Sequence, residues 1–211
     1  MDLRNLKINF LGDSITARFW AESEETSYVG RFRAQYPDAI IRNYGVQGSC
    51  VSSCCIWDSE DMRTRAKRMD TDADLIVIYG GTNDFHCMTP LGTPEERNAD
   101  TFYGAYNLLL DDILGRFPNT KVVLCTLLPR FDETWLEREG RIRVAPLKAY
   151  VDIIKEIGQK RNLPVIDLFN LEMFREPIPG DKSPLTKDGL HPLDEGHAIL
   201  FNHIHQALLS L

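Results

Sequence analysis

Five short apolar runs, at residues 8–11, 39–43, 75–79, 122–126 and 165–167, alternate with longer amphipathic stretches, and this alternation constrains the fold most. Several runs are rich in β-branched residues, as expected of strands buried on both faces. Helical patterns fall at 28–36, ending before Pro37, at 61–69, and at 99–117, where Leu108, Leu109, Ile113 and Leu114 share a stripe before Pro118. Two more follow at 144–161, with Leu147, Val151, Ile154 and Ile157 in phase, and at 192–209. Strand–helix alternation of this kind implies a parallel sheet covered on both faces. No linker, repeat or low-complexity tract interrupts residues 1–211, so one α/β domain is expected. Long connections at 45–60, 84–98 and 168–187 adjoin the carboxyl ends of strands, with a further one at 128–141. Loops of that length usually carry function.

Composition narrows the partners. The 211 residues carry a net charge of −7, which argues against nucleic acid or an anionic membrane. The basic stretch from Arg63 to Arg68 reads as the solvated face of a helix. No window approaches the ~20 apolar residues of a membrane span. Residues 1–5 run straight into the first strand without a signal-peptide pattern, so a cytoplasmic location is expected, although a trimmed N-terminus would read the same way. The five cysteines, Cys50, Cys54, Cys55, Cys87 and Cys125, do not form a secreted disulfide framework. Cys125 reads as a core residue. The adjacent Cys54 and Cys55 could ligate metal or form a redox pair, but idle thiols are the expectation.

The first run ends in Gly12-Asp13-Ser14, which delivers a hydroxyl to the carboxyl edge of the sheet, where ligands bind in open α/β folds. Ser14 could simply cap a following helix. As a nucleophile it would need a base. Of the five histidines, His197, His203 and His205 fall in or beside the last helix and read as surface or packing residues, and His86 sits in a loop. His191 differs. It follows a Gly189-Leu190 turn, precedes Pro192, and suits the first turn of the last helix. Asp188, three residues earlier, can meet the ring's Nδ1–H and leave Nε2 to take the serine proton. Donors for an oxyanion are available in Asn83, within Gly80-Gly81-Thr82-Asn83-Asp84, and in the backbone N–H groups of Gly45-Val46-Gln47-Gly48-Ser49. Each of these pieces alone can be an ordinary turn. No phosphate-cradle motif is completed.

In this order the four pieces resemble the SGNH hydrolases, the GDSL family of esterases and lipases, nearly end to end. The matching blocks are Gly12-Asp13-Ser14-Ile15-Thr16, Asn43-Tyr44-Gly45-Val46-Gln47-Gly48-Ser49, Gly81-Thr82-Asn83-Asp84 and Asp188-Gly189-Leu190-His191-Pro192. The first is a Ser-Ile-Thr variant. The resemblance implies a three-layer α/β/α sandwich of flavodoxin-like type, with five parallel strands ordered 2-1-3-4-5. It implies Ser14 as nucleophile, His191 as general base and then acid, and Asp188 as its orienter. The oxyanion donors would be the N–H of Ser14, the N–H of Gly48 (Gly45 being the alternative) and the Asn83 side chain. No metal or organic cofactor is implied, and Asp13 and Asp84 would shape turns.

The expected activity is therefore serine-dependent hydrolysis of carboxylic esters, with a small-molecule or carbohydrate ester as substrate. Short acyl groups are favoured, acetyl on a carbohydrate among them. The alternatives are a lipase or thioesterase acting on longer chains, or a non-catalytic binding module on the same fold. Phe85, His86, Phe131 and Trp135 are candidate pocket residues, with Trp57 beside them. A phosphoacceptor site on Asp13 fits poorly, because Asp84 comes late after the third strand and Leu168, not lysine, follows Asp167.

Overall fold

A computed structural model describes residues 1–55, 59–138, 140–175 and 185–211. Strand β1, Lys7–Gly12, leads through a run of turns to helix α1, Tyr28–Gln35, whose first turn is capped by Ser27 Oγ accepting the Gly30 N–H at 3.0 Å. Strand β2, Ile40–Gly45, precedes helix α2, Met62–Ala66, capped by Asp61. Strand β3, Leu75–Tyr79, is followed at once by the short helix α3, Thr82–His86, and then by α4, Phe102–Arg116. After β4, Lys121–Cys125, come a small hairpin of β5, Glu137–Arg138, and β6, Arg141–Ile142, and helix α5, Leu147–Lys160. Strand β7, Val165–Ile166, and helix α6, Asp194–Leu209, complete the described elements apart from a single 3-10 turn, Glu172–Phe174.

The main sheet is parallel with the order β2-β1-β3-β4-β7, the flavodoxin-like order that the family resemblance implies once β7 is counted as its fifth strand. Period-two alternation divides each strand between two cores. Leu11, Ile76, Ile78, Val122 and Leu124 face α2, α4 and α5, whereas Ile8, Phe10, Leu75, Val77, Tyr79 and Val123 face α1 and α6. Two connections read as loops hold structure: 84–98 begins inside α3, and 128–141 contains the hairpin. Helix α4 buries Leu110 rather than Leu108, because Phe102, Tyr106, Leu109 and Ile113 set a wider buried face than the predicted stripe.

Register sets where the strands stop. Gly12 pairs with Gly45 and Tyr79, Tyr79 with Cys125, and Cys125 with Ile166, so all five strands end in one row. Both glycines in that row are needed for close approach. A Cβ on Gly12 would lie 1.9 Å from Thr16 Oγ1, and one on Gly45 would lie 2.3 Å from the Ala17 nitrogen.

The basic stretch on α2 is not wholly solvated. Arg65 is 4% exposed, and its Nη2 donates to Gly12 O at 3.0 Å and to Ser49 Oγ at 2.5 Å, while Nη1 donates to Tyr44 O. The strand-end carbonyls need donors that water cannot supply, and one guanidinium provides several. Beneath it Asp13 is fully buried. Its Oδ1 accepts the Ile15 N–H at 3.0 Å, and Oδ2 has no partner among the described residues. Burial pushes this carboxyl up to about 6, against the pull of that hydrogen bond and of the Arg65 charge. The folded protein thus holds the Asp13 proton more tightly than the unfolded chain. Ionisation costs stability as pH rises from 3.8 through about 6. In Asp13→Asn, stability relative to wild type should shift in the variant's favour by about 1–3 kcal/mol between acid and neutral pH. Urea melts of both proteins across that range test this, and a pH-independent difference would remove the buried charge as the cause.

Candidate active site

The chain leaves β1 in tight turns rather than a helix. Ala17 N–H donates to Asp13 O and Phe19 N–H to Ser14 O, both at 2.9 Å, and Arg18 and Trp20 both take φ +69°. The next helix begins at Tyr28, so the Ser14 hydroxyl caps none. It instead lies 2.9 Å from His191 Nε2, with Ser14 only 4% exposed.

His191 is held from its other side. Its Nδ1 lies 2.7 Å from Asp188 Oδ2, and Asp188 Oδ1 accepts the N–H groups of His191 at 2.8 Å and Leu190 at 3.1 Å. Burial pushes the Asp188 carboxyl up, but the hydrogen bonds from the His191 ring and backbone outweigh it and hold the group below the usual carboxylate range. An ionised carboxylate can only accept, so Nδ1 carries a proton, and Nε2 is the ring nitrogen that faces the hydroxyl. The edge of Phe19 packs on the imidazole with ring centroids 4.8 Å apart.

The loop carrying this pair is rigidly tied. Thr186 bridges Pro192, Gly189 N–H donates to Thr186 Oγ1 at 3.0 Å, and Phe131 N–H donates to Gly189 O at 3.1 Å. Gly189 takes φ +75°, and a Cβ there would meet Phe131 at 2.9 Å. His191 belongs to this loop and not to the first turn of α6, which starts at Asp194.

The donor groups sit on the neighbouring strand ends. Asn83 lies on α3, not in a turn, and its Nδ2 donates to Ser49 O at 2.9 Å with one amide N–H in reserve. Asp84 accepts the Val51 and Ser52 N–H groups at 2.9 Å each, lashing the loop after β2 to α3. Burial raises the Asp84 carboxyl despite those bonds. Gly48 stands at φ +73°, and the N–H groups of Gly48 and Ser14 make no hydrogen bond within the described residues. Asn43, in the same block, donates to Thr16 O at 2.7 Å and accepts the Gly45 N–H at 2.8 Å.

The candidate pocket residues divide. Phe85 is not a pocket residue: it is fully buried, with the Arg143 guanidinium 4.0 Å and that of Arg130 5.3 Å from its ring centroid. Helix periodicity turns it inward from α3. His86 is half-buried at the end of α3. Phe131 packs edge-on to Trp135 at 5.3 Å, and Trp135 is 46% exposed. Trp57 lies outside the described residues. Sequence reasoning passed over Phe19 and Trp20, which follow the serine closely, and Trp20 is 45% exposed with Lys187 Nζ 5.7 Å from its ring. It also passed over a buried Arg130–Asp132–Arg143 network, with two contacts of 2.5 Å, that anchors the hairpin beside α3. Nothing local marks Arg143 for that role.

Of the other histidines, His197 is buried and accepts the Tyr28 N–H at 3.3 Å, and burial lowers it to about 4. His205 bonds Tyr36 Oη at 2.6 Å. Among the described residues no group of three or more histidine, cysteine or acidic side chains could hold a metal ion, and no helix is long and apolar enough to cross a membrane.

Comparison with known proteins agrees with this fold. A protein from Lactobacillus plantarum superposes with a TM-score of 0.80 at 24% identity, over 99% of both chains. A possible lipase from Chitinophaga pinensis DSM 2588 gives 0.74 at 21% identity, over 97% of this chain and 98% of its own. The acetyl xylan esterase AlAXEase gives 0.69 at 23% identity, over 96% of this chain and 99% of its own. No curated protein matches the chain by sequence. The GDSL-like Lipase/Acylhydrolase profile, however, matches residues 10–199, and the chain belongs to that family of ester-cleaving hydrolases.

Proposed function

We propose that the protein is a serine esterase working through an acyl-enzyme, a reading carried by the hydrogen-bonded chain from Ser14 through His191 to Asp188. His191 Nε2 removes the Ser14 proton as Oγ attacks the ester carbonyl. The N–H groups of Ser14 and Gly48 and the reserved Asn83 amide N–H stabilise the oxyanion. The imidazolium, held by Asp188, returns its proton to the departing alcohol. Water then enters, loses a proton to Nε2, and releases the acid.

Short acyl groups, acetyl on a carbohydrate among them, remain the favoured substrates. The similarity in fold to an acetyl xylan esterase supports this, as do the half-exposed indoles of Trp20 and Trp135, which suit stacking on a sugar ring. A second reading, longer acyl chains, draws on the exposed Leu136, Ile142 and Val144 in and beside the hairpin, at 56%, 80% and 52%.

Ser14→Ala should lower turnover of p-nitrophenyl acetate by at least ~10³-fold with an unchanged circular dichroism spectrum. Full retained activity would remove Ser14 as the nucleophile, and failure of a fluorophosphonate to label wild type at Ser14 would favour a binding module. Asn83→Ala should cost ~10²–10³ in kcat with little change in KM. Across a series of p-nitrophenyl esters, C2 should turn over faster than C8. The reverse order would select the lipase or thioesterase reading.

A further inference from the structure

Three thiols gather beside the donor groups, and the proposed hydrolysis uses none of them. Cys50 is buried, and its Sγ stands 4.0 Å from Cys87 Sγ and donates to Cys54 O at 3.0 Å. Cys55 Sγ accepts the Cys50 N–H at 3.3 Å. The two segments involved both carry oxyanion donors. Cys50 follows Ser49, whose carbonyl receives the Asn83 amide, and Cys87 N–H donates to Asn83 O at 2.7 Å at the end of α3.

We propose that Cys50 and Cys87 form a reversible oxidation site whose disulfide ties the loop of Gly48 and Ser49 to the helix of Asn83 and so lowers activity at Ser14. This deepens the esterase reading, on which its functional half rests. The thiols differ in a way that assigns roles. The Cys50 thiol lowers its neighbours Cys87 and Cys55 alike, whereas those two contacts, with burial, raise Cys50, and of the two lowered thiols only Cys87 lies on a different segment from Cys50. Cys87 is only partly buried, whereas Cys50 is fully buried, which makes Cys87 the thiol of the pair that meets a small hydroperoxide.

The Cys87 thiolate attacks a peroxide oxygen. An S–O bond forms, the O–O bond breaks, and with hydrogen peroxide the leaving hydroxide departs as water on protonation. Cys50 then attacks the sulfenic sulfur. The S–S bond forms, S–O breaks, and the Cys50 proton leaves with the hydroxide as a second water. Two thiols supply two electrons and the peroxide accepts them. Cys50 with Cys55 would close only a turn within one loop. Cys50 with Cys87 spans two segments, and its sulfurs must close from 4.0 Å to about 2.05 Å. A shift of that size beside the donors is enough to cost ~10²-fold, since a displacement of about 1 Å can do so.

The test treats the full protein with hydrogen peroxide, blocks free thiols by alkylation, and maps linked peptides by mass spectrometry alongside p-nitrophenyl acetate turnover. A Cys50–Cys87 linked peptide is expected, with at least a ~10-fold fall in turnover that dithiothreitol reverses. Cys87→Ser should match wild type before treatment and resist it afterwards, and Cys50→Ala should resist it likewise. The proposal is overturned if the linked peptide is absent, if Cys50 is found joined to Cys55 instead, or if Cys87→Ser is inactivated as wild type is. A linked peptide without loss of turnover overturns the coupling to activity. The peptide map is read independently of turnover, so failure of the esterase reading leaves the thiol pairing decided on its own.

Discussion

One row of paired residues organises this molecule. Parallel pairing in the order β2-β1-β3-β4-β7 brings Gly45, Gly12, Tyr79, Cys125 and Ile166 level with each other, and every main strand stops there. The polar residues just beyond the row therefore share one edge, including Ser14 after β1, Gly48 after β2 and Asn83 after β3. The register is held by apolar side chains buried on both faces of the sheet. A one-residue slip would turn each strand's inward set onto the wrong face. The core thereby sets the spacing of the polar groups above it.

Ending strands in a buried row leaves carbonyls that need donors. Arg65 meets that need at Gly12 and Tyr44 and reaches Ser49 as well. Asp84 receives the N–H groups of Val51 and Ser52 from the opposite side, and Asn83 receives no freedom to swing because one amide N–H is spent on Ser49. The donor side of the site is thus preorganised by its own hydrogen bonds. Preorganised dipoles are what stabilise charge developing in a transition state. The side of the proposed nucleophile, Ser14, is tied independently, through the loop in which Asp188 holds His191. The thiols of Cys50 and Cys87 lie where the donor side is laced together, so a bond between them acts on the donors and leaves the histidine loop untouched.

Much of this was readable from residue order. Apolar runs marked all five main strands, most plainly β3 and β4, because a strand buried on both faces has little choice but continuous apolar sequence, whereas β2 keeps only Ile41 buried. Gly12-Asp13-Ser14 and Asp188-Gly189-Leu190-His191 were legible because tight turns and a three-residue Asp–His spacing are local features. Phe85 misled because it lies near Asn83 in sequence, yet helical positions two apart point about 200° apart, and it turns into the core while Asn83 faces the edge. Arg65 misled because its stretch looks solvated, and burial depends on what packs over a helix rather than on the helix itself.

The amino-acid order by itself determined the strand–helix alternation, the turn chemistry at each strand end, and which residues could serve as nucleophile, base and donors. Those depend on contacts within a few residues along the chain. Tertiary structure alone decided that Ser14 and His191, 177 positions apart, meet at 2.9 Å, that Arg65 is interior, and that Cys50 and Cys87 are neighbours. Such pairings follow from how sheet and helices stack as a whole, and no local pattern encodes them.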